Sequence, residues 1–551
     1  MKSELLKKII SAVKSAEYNP PSDFSVTEAP KPEIGDFATN VAMIIAGQIK
    51  DNPREIANKI KIELEKYDDI IKVEVAGPGF INIKLELQVY FDELAKIVEQ
   101  KEQYGRSEIG AGKKINVEYV SANPTGPLHI GNARSGPIGE AIANLFMFLG
   151  YDTTKEFYIN DIGVQIGRFG QSLYHWYEIK DNVDVKFPEE GYPGPYIKET
   201  SEVIQLKFDD EISKISDREE LIKFFAKVGL DIMVEKIRDD LKFAGMKIDV
   251  WSYESKIAEA GKSAAVIERL RESGNTIEKE GAVWFKQPDD PELADKEAVL
   301  VKSDENHSVT YFANDLAYHL DKIERGATKM IDVWGANHFG HIPRMRAALK
   351  ALGQPDALEI VLYQYVRLKK SGQAASMGKR LGNFISLREV IEAGVVPDAF
   401  KYFILSQNPN TPFDFDLELA ADTSEKNPVF YIKYAHARIC SILEKSRGEG
   451  TGDGTPADYS VLNNAKEIAL IKELIKFPEL IEEISTNFQI QALPHFAYKI
   501  AGLFHDFYGS CRVIGAETKQ LKQARLFLIR ATKYVLKNAL NILSIDAPEK
   551  M

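Results

Sequence analysis

The chain has 551 residues, of which 44% are apolar and 28% charged, an ordinary globular balance that excludes wholesale disorder. Seventy basic against 82 acidic side chains give a formal charge of −12, which excludes bulk attraction to nucleic acid or an acidic membrane and leaves room for a local basic groove. The two cysteines, Cys440 and Cys511, form no CxxC, which excludes a disulfide scaffold and a four-cysteine zinc site and suits a reducing, cytoplasmic compartment. No apolar run approaches the ~20 residues of a membrane span, and Met1 leads into a charged amphipathic stretch, not a secretion signal.

Residues 1–108 read as a small α/β domain. Leu5, Leu6, Ile9, Ile10 and Val13 carry helical spacing over Ser3 to Ala16, and Asp51-Asn52-Pro53 starts a second helix with Ile56, Ile60 and Leu64 as its stripe. Residues 72–76 and 80–85 alternate across Gly77-Pro78-Gly79 and read as paired strands. A polar linker, Glu102 to Lys114, precedes a strand at Ile115–Val120, a Gly-rich turn at 121–132, a helix at 134–149 and a strand at Lys155–Ile159. That alternation predicts a parallel sheet flanked by helices over 109–396, with insertions at about 161–310 and further strands at 329–334 and 360–366. The strand signal fades after Pro397, and 397–429 reads as a connector. Residues 430–447, 461–485 and 492–543 are helical in spacing, so 430–551 reads as a helical domain. The expected fold is α/β: a Rossmann-type parallel-sheet domain with a small N-terminal α/β domain and a C-terminal α-helical bundle.

The turn Asn123-Pro-Thr-Gly-Pro-Leu-His-Ile-Gly-Asn132 follows a strand and opens a helix. Gly126 and Gly131 let the backbone approach a ligand, and the helix start offers unpaired N–H groups to an anion. His129 is placed to donate to a phosphate oxygen, with Asn132 on the same face. A lone His-x-Gly-Asn is more often a tight turn. The full string in this strand-to-helix context reverses that weighting.

Here the sequence resembles class I aminoacyl-tRNA synthetases, whose HIGH motif matches His129-Ile130-Gly131 with Asn132 in the last place. The family's KMSKS loop matches Ser376-Met377-Gly378-Lys379-Arg380, where Lys379 stands at the lysine used on the triphosphate and Arg380 follows it. The resemblance implies ATP as co-substrate, and catalytic roles for His129, Asn132 and Lys379. No protein nucleophile is needed when a carboxylate attacks the α-phosphate, so catalysis consists of positioning and charge stabilisation. Mg²⁺ is expected with the nucleotide, which supplies most of its ligands; no dedicated protein metal site is expected.

Nearly the whole chain resembles the arginyl-tRNA synthetase family. The resemblance runs through Gly35-Asp-Phe-Ala-Thr-Asn40, Gly77-Pro-Gly-Phe-Ile-Asn-Ile83, Val117 to Asn132, Tyr158-Ile-Asn-Asp-Ile-Gly163, Tyr311-Phe-Ala-Asn-Asp-Leu-Ala317, Asn427 to Arg438 and Ala547-Pro-Glu-Lys-Met551. It implies an arginine–tRNA ligase that forms arginyl-adenylate and passes the arginyl group to tRNA(Arg). L-Arginine would be held by Tyr311 and Asp315 at its side chain, by Glu118 and Asn123 at its other polar groups, and by His338. Independently, a guanidinium favours planar carboxylate partners and a flat ring, and Tyr311 and Asp315 stand four apart on one helical face. The resemblance also makes 430–551 an anticodon-binding domain, with Tyr434 and Arg438 among its aromatic and basic residues. It makes 1–108 a domain contacting the tRNA corner through Phe80 and Asn82, and 397–429 a stem-contact connector. It implies a monomer with no membrane partner. Another class I synthetase and a non-catalytic RNA-binding relative remain alternatives at this stage.

Overall fold

The computed structural model describes residues 1–31, 33–180, 184–286, 293, 298–304, 308–370, 373–375, 385–447 and 458–551. The N-terminal unit carries a four-stranded antiparallel sheet in the order Val26–Glu28, Phe37–Thr39, Phe80–Leu85, Ile70–Ala76. Helices Lys2–Ser15, Val41–Ile49, Pro53–Leu64 and Leu87–Gln100 accompany it. The Pro53–Leu64 helix starts where Asn52 accepts from the Arg54 N–H and Pro53 fills the first helical position, which needs no donor. The expected hairpin forms across Gly77 and Gly79, whose φ angles of +53° and +134° admit glycine with least strain.

The central sheet has five parallel strands in the spatial order Leu358–Tyr363, Lys329–Gly335, Lys114–Glu118, Asp152–Ile159, Val250–Tyr253. The first strand in the chain therefore lies in the middle. The chain winds outward on one side of it, then crosses back to wind outward on the other. Where two neighbouring strands lead off in opposite directions, their C-terminal ends cannot be closed by a connection, and a crevice opens. Here that point lies between Lys114–Glu118 and Lys329–Gly335.

Three expectations change. The run 360–366 is not one strand: Leu358–Tyr363 belongs to the central sheet, and Val366–Lys370 joins Gln373–Ala375 and Phe413–Asp416 in a separate three-stranded sheet. Apolar residues on both sides of Gln364 hide such a change of sheet, and the same sheet supplies a strand beyond Pro397. The insertions also contribute to the core. Helices Val164–Glu178, Pro195–Lys207 and Arg218–Phe243 pack around their own cluster (Phe169, Leu173, Ile197, Phe225), but Val250–Tyr253 then becomes an edge strand of the central sheet. In the C-terminal bundle, the expected helix 461–485 divides into Ala465–Leu474 and Phe477–Asn487 at Pro478, and 492–543 divides into Ala492–Ser510 and Lys519–Ile542. The bundle, the N-terminal unit and the central sheet share one apolar core; Phe477 meets Phe148 edge-on at 5.8 Å.

Arg134, buried just past the first motif, ties the loops at 364 and 408–411 to the helix after it. Its guanidinium donates to the carbonyls of Gln364 (2.7 Å), Thr411 (2.9 Å) and Asn408 (3.0 Å), and its face lies 4.8 Å from the Phe413 ring. No carboxylate is among these partners, and burial pulls its pKa down to about 10. Arg134→Met would strip the Gln364 and Thr411 carbonyls of the donor that Arg134 supplies, while Asn408 O keeps the Thr411 N–H and hydroxyl, at a cost of about 3 kcal/mol. Calorimetry should show that loss as a lower unfolding temperature. Arg134→Lys should restore only part of it, since a single ammonium cannot span the fork of a guanidinium.

Candidate active site

A cavity of about 500 Å³ occupies the crevice between the two central strand ends. Glu118, Asn123, His129, Asn132, Tyr311, Asp315 and His338 all line it, so residues spread over 221 positions of sequence meet in one place. Gln165, Tyr318, Trp334, Asn337 and His341 line it too without having been singled out, as do Tyr158 and Asn160, which lay in a matching string but were given no role.

Immediately past the Lys114–Glu118 strand the backbone turns sharply. Val120 has φ +70° and Ser121 φ +37°, values that a residue with a side chain adopts only under strain, the β-branched Val120 most of all, at about 1–3 kcal/mol each. The surroundings hold the turn in place. The Val120 N–H donates to Ser135 Oγ (3.1 Å), while Ser121 Oγ accepts from the Tyr158 N–H (3.0 Å) and donates to Glu118 Oε1 (2.7 Å). The chain thereby brings Asn123 to the cavity, where its amide donates to Gln165 Oε1 at 2.8 Å.

His129 caps the short helix Ile130–Ala133, and its Nδ1 accepts from the Asn132 N–H at 3.1 Å. That bond assigns the ring hydrogen of the neutral imidazole to Nε2, the donor that an anion requires. Gly126 and Gly131 sit outside the cavity lining. A Cβ on Gly126 would fall 2.8 Å from the Tyr196 hydroxyl, which itself donates to the Thr125 carbonyl at 2.9 Å. A Cβ on Gly131 would meet the His129 ring at 3.0 Å. Both positions therefore leave little room for a side chain beside the motif.

Lys379 and Arg380 lie outside the described residues. The segment that follows them returns to the first motif. His129 and Ser386 form an antiparallel bridge, the Ile130 N–H donates to Ile385 O (3.2 Å), and the Leu387 N–H donates to Leu128 O (2.7 Å). Ser386 then starts the helix Leu387–Glu392 with a reciprocal cap to Glu389.

The opposite wall is acidic and aromatic. Thr310 caps the helix Tyr311–Glu324, which carries Tyr311 and Asp315 into the cavity one turn apart. Tyr311 stands half-exposed at the lip with its hydroxyl against Gly163, where a Cβ would come within 2.1 Å of it. Burial pushes the Asp315 carboxyl up to about 7, His319 pulls it back, and Glu254, Glu118 and Asp332 add to the rise. Beneath it Tyr318 stacks on Tyr158 with centroids 4.2 Å apart. Glu118 is buried, and its Oε2 accepts from the ammonium of Lys322 at 2.6 Å. Burial raises its pKa, and Lys322 opposes the rise. A carboxylate beside flat rings at the base of a cleft is built for a planar cation.

Of the expected RNA contacts, Phe80 is exposed (40%), whereas Asn82 is 4% exposed, mid-strand between Ala38 and Glu74, with Gly35 packed against it. On the bundle, Tyr434 is 44% exposed. Arg438 donates to its hydroxyl at 2.5 Å and lies 4.6 Å above the Tyr508 ring, and His505 stacks against Tyr434. Phe504 and Phe507, part of the same aromatic run in sequence, are core.

Three family models match the chain: "Arginyl tRNA synthetase N terminal domain" over residues 3–85, "tRNA synthetases class I (R), catalytic domain" over 93–398, and "DALR anticodon binding domain" over 432–551. Among curated relatives, the arginine–tRNA ligase of Caldanaerobacter subterraneus subsp. tengcongensis is 43% identical over 564 aligned residues, covering 100% of this chain and 98% of its own. That of Heliobacterium modesticaldum is 41% identical over 548, covering 98% and 96%. The solved arginyl-tRNA synthetase of Thermus thermophilus has the same fold, with a TM-score of 0.78 at 21% identity over 100% of both chains.

Asp315 offers a direct test. A carboxyl whose pKa is 3.8 when unfolded and about 7 when folded favours folding at low pH, and that contribution is lost as pH rises between the two values. Asp315→Asn should therefore stabilise the ligand-free protein, by about half a kcal/mol near pH 4 and by about 4 kcal/mol near pH 8. Thermal unfolding across that range reads the difference.

Proposed function

The chain belongs to the arginyl-tRNA synthetase family, and from that premise we propose how its own residues carry out the reaction. It is a class I arginine–tRNA ligase: ATP activates L-arginine to arginyl-adenylate, and the arginyl group passes to the 3′-terminal adenosine of tRNA(Arg), releasing AMP and pyrophosphate. The residue-level reading rests on one observation, the gathering of the first-motif residues and a half-buried carboxylate, Asp315, around one cavity.

In this reading Asp315 pairs with the guanidinium, Tyr311 closes over its face, and Glu118, Asn123 and His338 meet the remaining polar groups of arginine. A site that matches the guanidinium N–H groups rejects lysine, because an ammonium leaves part of the carboxylate unpaired. His129 Nε2 and Asn132 donate to the phosphates as charge builds on them, and the tight backbone at Gly126 and Gly131 sets their distance. Lys379 and Arg380 complete the grip on the triphosphate. Losing one aimed donor of this kind costs on the order of 10²–10³ in rate. Mg²⁺ arrives with ATP as part of the substrate.

Residues 430–551 bind the anticodon arm, with Tyr434 and Arg438 as base-stacking and phosphate contacts. Residues 1–108 meet the tRNA corner through Phe80, with Asn82 withdrawn beneath it, and 397–429 follow the stem. No helix among the described residues is long and apolar enough to cross a membrane. The protein works as a cytoplasmic monomer.

Charging total tRNA with each of the twenty amino acids should give arginine alone; any other acceptor product overturns the assignment. Arginine-dependent ATP–pyrophosphate exchange should require tRNA(Arg), and vigorous exchange without RNA contradicts that ordering. Lys379→Ala should abolish adenylate formation at nearly unchanged tRNA affinity. Arg438→Ala should weaken tRNA binding about tenfold and leave arginine KM unaltered.

A further inference from the structure

Two strands and one helix meet behind the Asp315 carboxylate. Strand pairing sets Glu118 directly opposite Asp332, and both are buried, an arrangement that repels unless cations intervene. Helix Tyr311–Glu324 supplies Lys322 and His319. The Lys322 ammonium, 4.4 Å from the Tyr318 ring, donates to Glu118 Oε2 at 2.6 Å and to Asp332 Oδ1 at 2.9 Å. His319 meets Asp332 Oδ2 through Nε2 at 2.8 Å and the backbone carbonyl of Asp315 through Nδ1 at 2.6 Å.

A carbonyl oxygen only accepts, so Nδ1 carries a hydrogen. Burial pushes Asp332 up, but Lys322 and His319 outweigh it and hold the carboxyl below its ordinary value. Asp332 is therefore an acceptor as well, and Nε2 carries a hydrogen too. A neutral imidazole has one N–H, and this environment demands two. In line with that count, burial opposes the charge on His319 but Asp332 overcomes it, and the His319 pKa is raised.

We propose that His319 is a positioning and specificity-determining residue: an imidazolium built into the wall that, with Lys322, cancels Glu118 and Asp332 and leaves Asp315 as the uncompensated carboxylate facing a single guanidinium charge. The proposal rests on reading the cavity as the arginine site. Asp315 must be ionised to pair with arginine, and His319 is the charge that pulls its pKa down against burial and against Glu254, Glu118 and Asp332. The other groups around the pair are Tyr311, Tyr318 and Lys322 on the same helix, Tyr158 on the Asp152–Ile159 strand, and Trp334, whose ring meets His319 edge-on at 6.3 Å.

The test is the pH dependence of kcat/KM for arginine in the full-length enzyme charging tRNA. Wild type should lose activity below an acid limb at about 7, the Asp315 value. In His319→Gln the limb should move up by about one unit. Arginine KM then rises about fivefold near pH 7 and returns to within about twofold of wild type near pH 9, with kcat and ATP KM little changed. A purely structural role would impair the enzyme at every pH, and an unmoved limb overturns the proposal. Independently, ¹⁵N-histidine NMR of the wild-type chain should show both His319 ring nitrogens protonated near pH 8, and a neutral ring there overturns it as well. The signal is assigned by its loss in His319→Gln or, should that chain not fold, by eliminating the other eight of the nine histidines. Should the enzyme charge an amino acid other than arginine, the reading of the cavity fails, while the protonation of His319 is still answered by the spectrum.

Discussion

Lys322 places one buried ammonium between Glu118 and Asp332, two carboxylates that the sheet register forces face to face. Each acid comes from one of the two strands whose ends open the crevice, and the lysine comes from the helix that carries Tyr311 and Asp315. The same contact thus joins both lips of the crevice to the helix that presents its acidic wall. Removing one partner of such a buried group costs about 3–5 kcal/mol, because the charge left behind has no water to turn to. The distances between the substrate-facing side chains depend on this contact.

Around that anchor the molecule accepts strain where chemistry is performed. Val120 and Ser121 hold positive φ angles directly after Glu118, and Ser121 spends its hydroxyl on the same carboxylate that Lys322 binds. The turn and the ion pair support each other. Asp315 carries a different kind of strain: a carboxyl kept near its wall with no hydrogen bond or ion pair among the described residues, its pKa raised until a cation arrives. A site prepared in this way holds its cost in the empty state and releases it on binding, so affinity comes from preorganisation.

More distant elements act on the first motif through specific contacts. Arg134 binds three carbonyls that lie more than 200 residues away in sequence, and so fixes the loops at Gln364 and Asn408–Thr411 against the helix that follows His129. Tyr196, from the inserted helices, reaches Thr125 and occupies the space beside Gly126. The insertion is therefore not a detached appendage: it braces the loop that His129 ends.

The sequence alone determined the fold class, the paired strands at 72–76 and 80–85, the strand–turn–helix around His129, the helical character of 430–551 and the family. Those features are written in local period, in turn chemistry and in contiguous motifs, which need no knowledge of partners. It also named seven residues that line the cavity, because motif strings and i,i+4 spacing are local too. The tertiary structure alone decided that 358–370 serves two sheets, that Phe504 and Phe507 are core while Tyr434 is surface, and that Asn82 is covered. It alone revealed Lys322, His319 and Asp332 as the charged group behind the site. A buried charge is defined by the groups that neutralise it, and here those groups stand on separate strands and helices, brought opposite one another only when the sheet reverses its winding and the register is set.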